Sequence, residues 1–279
     1  SLIVFFTLAG IFFLVPSALV SAELATGWPK RGGVYIWVKE GLGSPWGFVA
    51  IWLEWIQNVF WYPIALAFGG ACLAYVYNPD LAHNRVYMIG LILIVYWGAT
   101  FINLFGIKRS SMISTIGVIS GTIFPTLFLT LLGVIWLFLG KPLAVSLSPS
   151  TIFPRISDPY NWVFLAGLLL TFGGMEVSAV HVKAVKNPGR TYPLAILIAV
   201  IIVFSIFMFG SLALAFVIPH QHISLVAGVM QAFTQFFNSF NIGWAIPILA
   251  ILVFVGTLAE ILTWIVGPSR GLYVASLYG

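Results

Sequence analysis

Long runs of apolar residues, bounded by charges or by Pro, Gly and Asn, make up nearly the whole chain. A helix needs about 20 apolar residues to cross the hydrocarbon core of a bilayer. Seven runs reach that length and predict membrane-spanning helices at 2–25, 46–77, 86–105, 112–139, 160–181, 193–218 and 243–267. The apolar run 223–240 is interrupted by Gln231, Gln235 and Asn238, so we predict an interfacial loop helix there instead.

Composition removes whole classes of function. Of 279 residues, 61% are hydrophobic and 7% are charged, whereas a soluble domain carries roughly 25% charged residues. The mean hydropathy is +1.08. The exterior must therefore face lipid, which excludes a soluble enzyme, a nucleic-acid-binding protein and a disordered protein. The single cysteine, Cys72, excludes an intrachain disulfide and argues against a thiolate metal site. Because the chain opens inside an apolar run without an initiator methionine, we expect a fragment.

The basic residues predict the orientation, because cytoplasmic loops carry an excess of Lys and Arg. With loops on alternate sides, one side holds nine bases and the other holds three. The nine are Lys30, Arg31, Lys39, Lys108, Arg109, Lys183, Lys186, Arg190 and Arg270, and the three are Arg85, Lys141 and Arg155. The nine-base side is predicted to be cytoplasmic. The net charge of +5 is therefore explained by the orientation of the chain in the membrane and does not indicate an anionic partner.

The proline-containing loop 140–159 divides the predicted spans into two groups. Residues 1–139 hold four spans and residues 160–279 hold three. Asp158 as an N-cap and Pro159 at the first helical position mark the start of the fifth span. We interpret residues 1–279 as one transmembrane bundle with a junction at this loop.

Three carboxylates lie well inside predicted spans, at Glu54, Glu176 and Glu260. A charge at mid-membrane costs at least ~2.5 kcal/mol on insertion scales, so such residues usually face the bundle interior or a cavity. Glu54 and Asn58 are four residues apart, as are Gln57 and Trp61, and we expect all four to share one helical face. These polar groups either hydrogen-bond neighbouring helices as packing contacts or line a substrate path.

Glu176 follows the motif Thr171-Phe172-Gly173-Gly174-Met175. Each glycine weakens a helix by about 1 kcal/mol relative to alanine, so the pair predicts local unwinding of the fifth span. Unwound backbone at membrane depth is tolerated where it lines a cavity, and transporters bind substrates at such breaks. Freed amides at the start of the following half-helix suit a carboxylate. Alternatively, the glycines only permit close packing of helices.

Glu260 and Trp264 are four residues apart in the last span, and Thr257 precedes Glu260 by three, so we expect one shared face. Trp264 lies deeper than the interfacial belt in which tryptophans usually gather. It either fills volume or closes over a bound ligand, with cation–π contact to an amino group.

The sequence holds no arrangement that indicates an enzyme. It contains no HExxH, no paired aspartates in a span and no P-loop. His220 and His222 have no third ligand, so we predict neither a metal nor a cofactor. Gly117 and Gly121 form a GxxxG pair, which is typical of helix packing.

Several motifs resemble those of amino acid–polyamine–organocation transporters. Residues 21–27 (SAELATG) and 31–38 (RGGVYIWV) resemble their second span and first inner loop, and Gly174-Met175-Glu176 with 187–193 (NPGRTYP) resembles their sixth span and the following loop. The run 259–271 is similar to the eighth span of bacterial glutamate/γ-aminobutyrate antiporters. Together these matches extend, in order, over essentially the whole chain.

The resemblance implies an all-α polytopic membrane helix bundle, part of a five-plus-five inverted-repeat (LeuT-like) transporter fold. The seven spans present would then be spans 2 to 8, with spans 2–5 in residues 1–139 and spans 6–8 in residues 160–279. The first span, which supplies half of the substrate site in such transporters, would be missing.

The resemblance also implies that Glu176 is linked to gating and protonation and that Trp264 lies near the substrate. From the glycine break itself we expect residues 171–175 to bind substrate, and we expect Glu260 to be linked to gating or protons as Glu176 is. Glu54, Gln57 and Asn58 are weaker candidates for lining the path.

We therefore expect a secondary amino acid antiporter of the bacterial inner membrane that works by alternating access. The family's antiporters exchange an amino acid for its decarboxylated product and help cells resist acid. The alternative is a proton-coupled amino acid or polyamine symporter. The expected partners are small amino acids and the lipid bilayer, without nucleic acid, and a homo-oligomer is compatible with the sequence.

Overall fold

The structure is a computed structural model that describes residues 2–30, 32–104, 107–145 and 159–278. Within these ranges all regular structure is helical, and seven segments are long and apolar enough to cross a membrane. They are Leu2–Gly27, Ser44–Ala74, Arg85–Leu104, Met112–Phe138, Asn161–Ala179, Pro188–Val217 and Gly243–Leu277. The seven predicted spans are therefore confirmed. Asp158 and most of the proline-containing loop lie outside the described residues.

The helices are labelled in chain order. They are α1 (Leu2–Gly27), α2 (Val34–Leu42), α3 (Ser44–Ala74), α4 (Arg85–Leu104), α5 (Ile107–Val118 continuing into Phe124–Phe138), α6 (Pro159–Thr171), α7 (Pro188–Val217), α8 (Gly228–Ser239) and α9 (Ile246–Leu277). Two π-helical turns, Gly10–Leu14 in α1 and Ile119–Ile123 in α5, interrupt the regular hydrogen bonding. Short 3-10 helices lie at Pro79–His83, Met175–Ala184, His220–His222 and Gly243–Ala245.

Several helix boundaries differ from those predicted, and two of the differences have a clear cause. α7 begins at Pro188 and not at 193, because the carbonyl of Asn187 already accepts hydrogen bonds from the amides of Arg190 and Thr191. A proline at the first helical position costs nothing, since its missing N–H would have had no partner. α9 continues to Leu277 and not to 267, because Pro268 removes one backbone donor without ending the helix.

Two helices lie outside the spans. α2 was not predicted, and it packs through Tyr35 and Ile36 against side chains that include Ile51 and Val274. α8 confirms the predicted loop helix, and its strongly amphipathic sequence explains it: one face carries Met230 and three phenylalanines, all fully buried.

The described residues fall into two compact units. The first unit contains the described residues of Ser1–Gln57, Ser146–Met208 and Gly267–Gly279. Its core consists of apolar side chains from α1, the end of α6, the following 3-10 helix and α7. The interpretation of the whole chain as a single bundle remains a prediction.

The second unit contains Asn58–Val145 and Phe209–Val266. Lipid tails are as apolar as the helices, so helices in a membrane associate through close packing of small residues. α5 and α9 pack in this way: a Cβ on Gly121 would collide with the backbone of Gly256, and one on Gly117 would lie 2.5 Å from the Cβ of Ala259. The packing role predicted for the GxxxG pair is confirmed.

Candidate functional site

The fifth span is interrupted at its glycine pair, as the sequence predicts. α6 ends at Thr171, whose hydroxyl donates to the carbonyl of Gly167 at 2.8 Å. The backbone then turns, and Gly174 adopts φ 105° and ψ 3°. This left-handed conformation suits glycine because other L-residues place Cβ too close to the following carbonyl. The chain resumes as a 3-10 helix at Met175 and not as an α-helix.

The break leaves backbone donors available. Within the described part of the chain, the amides of Gly174, Met175 and Glu176 donate to no backbone carbonyl, and Gly174, at the N-cap position, has no side chain that could accept from them. Backbone N–H groups that lack partners are costly in a low-dielectric environment. A carboxylate or an ordered water would satisfy them, so the break can bind an anionic group.

Side chains at the break point in different directions. Phe172 is 1% exposed, and its ring packs within 6.0–6.4 Å of the rings of Phe6, Phe204 and Phe207. Any contact of Phe172 with a substrate would therefore come from its backbone. Thr171 and Gly173 are exposed, and Met175 and Glu176 are partly buried.

Two residues that the sequence analysis did not single out hold the segment after the break. The hydroxyl groups of Ser178 and Tyr192 lie 2.6 Å apart, and the Ser178 hydroxyl donates to the carbonyl of Met175 at 2.9 Å. These bonds tie the 3-10 helix to α7. Ser178 lies in no motif, and although Tyr192 lies in the motif 187–193, nothing in the sequence indicates that the two side chains meet.

Glu54, on α3, belongs to the same unit as the break. Its carboxyl group is near enough to that of Glu176 for their charges to interact. Glu54 is partly buried and Gln57 is exposed. The first unit therefore contains one of the weaker candidates, Glu54, as well as Glu176.

The second unit contains Asn58, Glu260 and Trp264. Asn58 is 1% exposed although its neighbour Gln57 is exposed, so the four residues expected on one face, Glu54, Gln57, Asn58 and Trp61, lie in different environments. Successive residues of a helix are about 100° apart, which separates these two environments.

Trp264 packs on α3. Its ring centroid lies 5.2 Å from that of Trp61, with the planes tilted by 39°. Thr257 is 3% exposed and Glu260 is exposed, so the face expected for Thr257, Glu260 and Trp264 is divided between two environments. Trp61 therefore adds an aromatic partner for Trp264 that the sequence did not identify.

Among the residues that the structure describes, no three His, Cys, Asp or Glu side chains come together as metal ligands would. The candidate residues offer backbone amides and carboxylates in the first unit, and a carboxylate and aromatic rings in the second. Such groups bind and orient a polar solute, and the carboxylates can also carry protons.

Comparison with known proteins gives one family. A family model described as amino acid permease matches residues 1–276. An uncharacterized transporter of Legionella pneumophila subsp. pneumophila is 42% identical over 279 residues, covering all of this chain and 60% of the relative. The glutamate/gamma-aminobutyrate antiporter of Lactococcus lactis subsp. cremoris is 34% identical over 284 residues, covering all of this chain and 56% of the relative.

A more distant relative is a probable agmatine/putrescine antiporter of Lactococcus lactis subsp. lactis, 27% identical over 265 residues, covering 92% of this chain and 54% of the relative. The chain thus spans between 54% and 60% of the length of these three relatives. All three are named as transporters and none as an enzyme.

Proposed function

This chain belongs to the amino acid permease family, as its motifs predicted, and on that basis we propose that the protein containing it is a secondary amino acid antiporter. It is a multi-pass membrane protein. We place it in a bacterial inner membrane, where it exchanges a glutamate-like amino acid for its decarboxylated amine by alternating access. The glutamate/gamma-aminobutyrate antiporter among its relatives supports this choice of substrates.

The interruption of the fifth span carries the proposal. A substrate carboxylate binds to the amides of Gly174, Met175 and Glu176, which have no backbone acceptor among the described residues. Their dipoles replace the hydration that the carboxylate loses on entering the membrane. Thr171 and Gly173, which are both exposed, border the same break.

The remaining candidates have supporting roles. Trp264 stacks over the substrate, and its contact with Trp61 limits the positions of its ring. Glu176 and Glu260 carry protons or control gating, and Glu54, Gln57 and Asn58 line the path. In this scheme the proton-linked carboxyl groups take up protons in acid. The amides bind the carboxylate that glutamate and γ-aminobutyrate both carry.

Exchange by the full-length protein in liposomes tests the function. Labelled glutamate should enter only when the vesicles contain unlabelled glutamate or γ-aminobutyrate. Trp264→Ala should lower the substrate affinity about 5- to 30-fold, because aromatic and cation–π contacts contribute about 1–2 kcal/mol. Trp97→Ala is the matched control, since Trp97 is 55% exposed on α4. If the Trp264→Ala variant binds substrate with unchanged affinity, Trp264 only packs against its neighbours and does not contact the substrate.

A second candidate is a proton-coupled amino acid or polyamine symporter. The interaction between the charges of Glu54 and Glu176 favours a polyamine as the substrate, because two carboxylates that interact in this way attract a cationic amine. One of the relatives is named a probable agmatine/putrescine antiporter, and both of these molecules are amines. Accumulation of labelled amine in initially empty vesicles under a proton gradient would establish symport and exclude strict exchange.

A further inference from the structure

The carbonyl of Trp264 has lost its ordinary partner within α9. In an α-helix the carbonyl of residue i accepts from the N–H of residue i+4. For Trp264 that residue is Pro268, which lies inside α9 and has no N–H. A backbone carbonyl without a partner in the membrane interior is costly, so another donor is needed here.

Tyr62 supplies that donor. Its hydroxyl donates to the carbonyl oxygen of Trp264 at 3.1 Å, across 202 residues of sequence. Tyr62 is 7% exposed, and its ring packs against that of Tyr96 at 5.4 Å. The hydroxyl is therefore directed at this carbonyl by a ring that has little room to move.

We propose that Tyr62 is a positioning residue that replaces the backbone hydrogen bond removed by Pro268 and so holds Trp264 in place. Trp61 and Tyr62, which are adjacent on α3, restrain Trp264 in two ways: Trp61 contacts the ring and Tyr62 bonds the backbone. The effect on transport rests on the proposed function, in which Trp264 contacts the substrate. The hydrogen-bond replacement itself does not depend on that function.

Asn103 provides an internal comparison. Its side-chain amide donates to the carbonyl of Leu262 at 3.1 Å, also from a neighbouring helix onto α9. The residue four positions after Leu262 is Val266, which has an N–H. The bond from Asn103 therefore adds to a carbonyl that has a backbone donor, whereas the bond from Tyr62 replaces a donor that is missing.

The test is a double-mutant cycle in the full-length protein, with Tyr62→Phe, Pro268→Ala and the double variant. Pro268→Ala restores an N–H to the carbonyl of Trp264. Tyr62→Phe should lower the substrate affinity about 5- to 10-fold, the effect of losing one buried hydrogen bond. In the Pro268→Ala background the same change should cost less than about twofold. Pro268→Ser, which also restores an N–H, serves if the alanine variant does not fold.

Asn103→Leu is the control, and its effect should be the same with and without Pro268→Ala. Thermal stability, measured without substrate on the same variants, should show the same coupling between Tyr62 and Pro268. Equal losses for Tyr62→Phe in both backgrounds would overturn the inference. If the stability coupling is present but Trp264→Ala leaves affinity unchanged, the proposed role of Trp264 in transport fails while the replacement of the hydrogen bond by Tyr62 is upheld.

Discussion

Replacing Gly174 tests whether the interruption of the fifth span binds substrate. Gly174 has φ 105°, a conformation that L-residues rarely adopt. Left-handed backbone costs an alanine about 1–2 kcal/mol. Alanine also favours a continuous helix over glycine by about 1 kcal/mol. Gly174→Ala should therefore shift the equilibrium between the broken and the continuous helix by about 2–3 kcal/mol, or roughly 30- to 150-fold.

If substrate binds only to the broken form, the apparent affinity falls by up to the same factor. Gly174→Asn should have a smaller effect, because asparagine tolerates left-handed backbone better than alanine does. The measurement is the equilibrium dissociation constant of labelled substrate for the purified full-length protein, with thermal stability recorded alongside it.

Gly167→Ala is the matched control for Gly174→Ala. Gly167 lies in α6, and a Cβ added there meets no atom within 4 Å. This change should leave affinity unaltered and raise stability slightly, because alanine is the better helix former. A folded Gly174→Ala protein that binds substrate as tightly as the wild type would refute the assignment of the break as the binding site.

Three further predictions concern protons, packing and the surface. Glu176→Gln should flatten the pH dependence of uptake while leaving folding intact, and an unaltered pH profile of uptake would exclude Glu176 as the proton-linked group. Gly121→Ala should destabilise the protein by about 1–3 kcal/mol through overpacking. Gly98→Ala is the control, because a Cβ there has no atom within 4 Å, and it should be neutral or stabilising in thermal unfolding. Equal effects of the two substitutions would contradict the close contact between Gly121 and Gly256. The ammonium of Lys30 donates to the carboxylate of Glu40 at 2.8 Å, which lowers the pKa of Glu40 and raises that of Lys30. Because the pair is on the surface, it should stabilise the protein only slightly. This contribution should be lost as the pH falls through the lowered pKa of Glu40 or rises through the raised pKa of Lys30. Thermal midpoints of the wild type and of Glu40→Gln, compared across pH, measure the contribution, and a difference between them that grew in strong acid would contradict it.

Much of the candidate site could be predicted because the membrane constrains local sequence strongly. An apolar run of about 20 residues has few alternatives to a spanning helix. Likewise, two adjacent glycines before a glutamate within a span have a local consequence, and the interruption at Gly173 and Gly174 is where the sequence places it. These predictions required no knowledge of which helices are neighbours.

Other features depend on neighbours and were missed or only partly predicted. The π-helical turn in α5 contains Gly121, which lies against the backbone of α9. The predicted end of α9 at residue 267 was wrong, because the effect of Pro268 depends on whether the helix around it continues. The environments of Gln57 and Glu260 differ from those expected, because spacing along a helix shows which residues share a face but not what covers that face.

The sequence by itself determined the seven spans, the family and the interruption of the fifth span, because each depends on residues close together in the chain. Only the tertiary structure decided that the charges of Glu54 and Glu176 interact and that Tyr62 bonds the carbonyl of Trp264. Contacts of this kind join residues far apart in sequence, and their geometry follows from how whole helices pack. Hydrophobic periodicity records which side of a helix is apolar, and it carries no information about the partner that packs there.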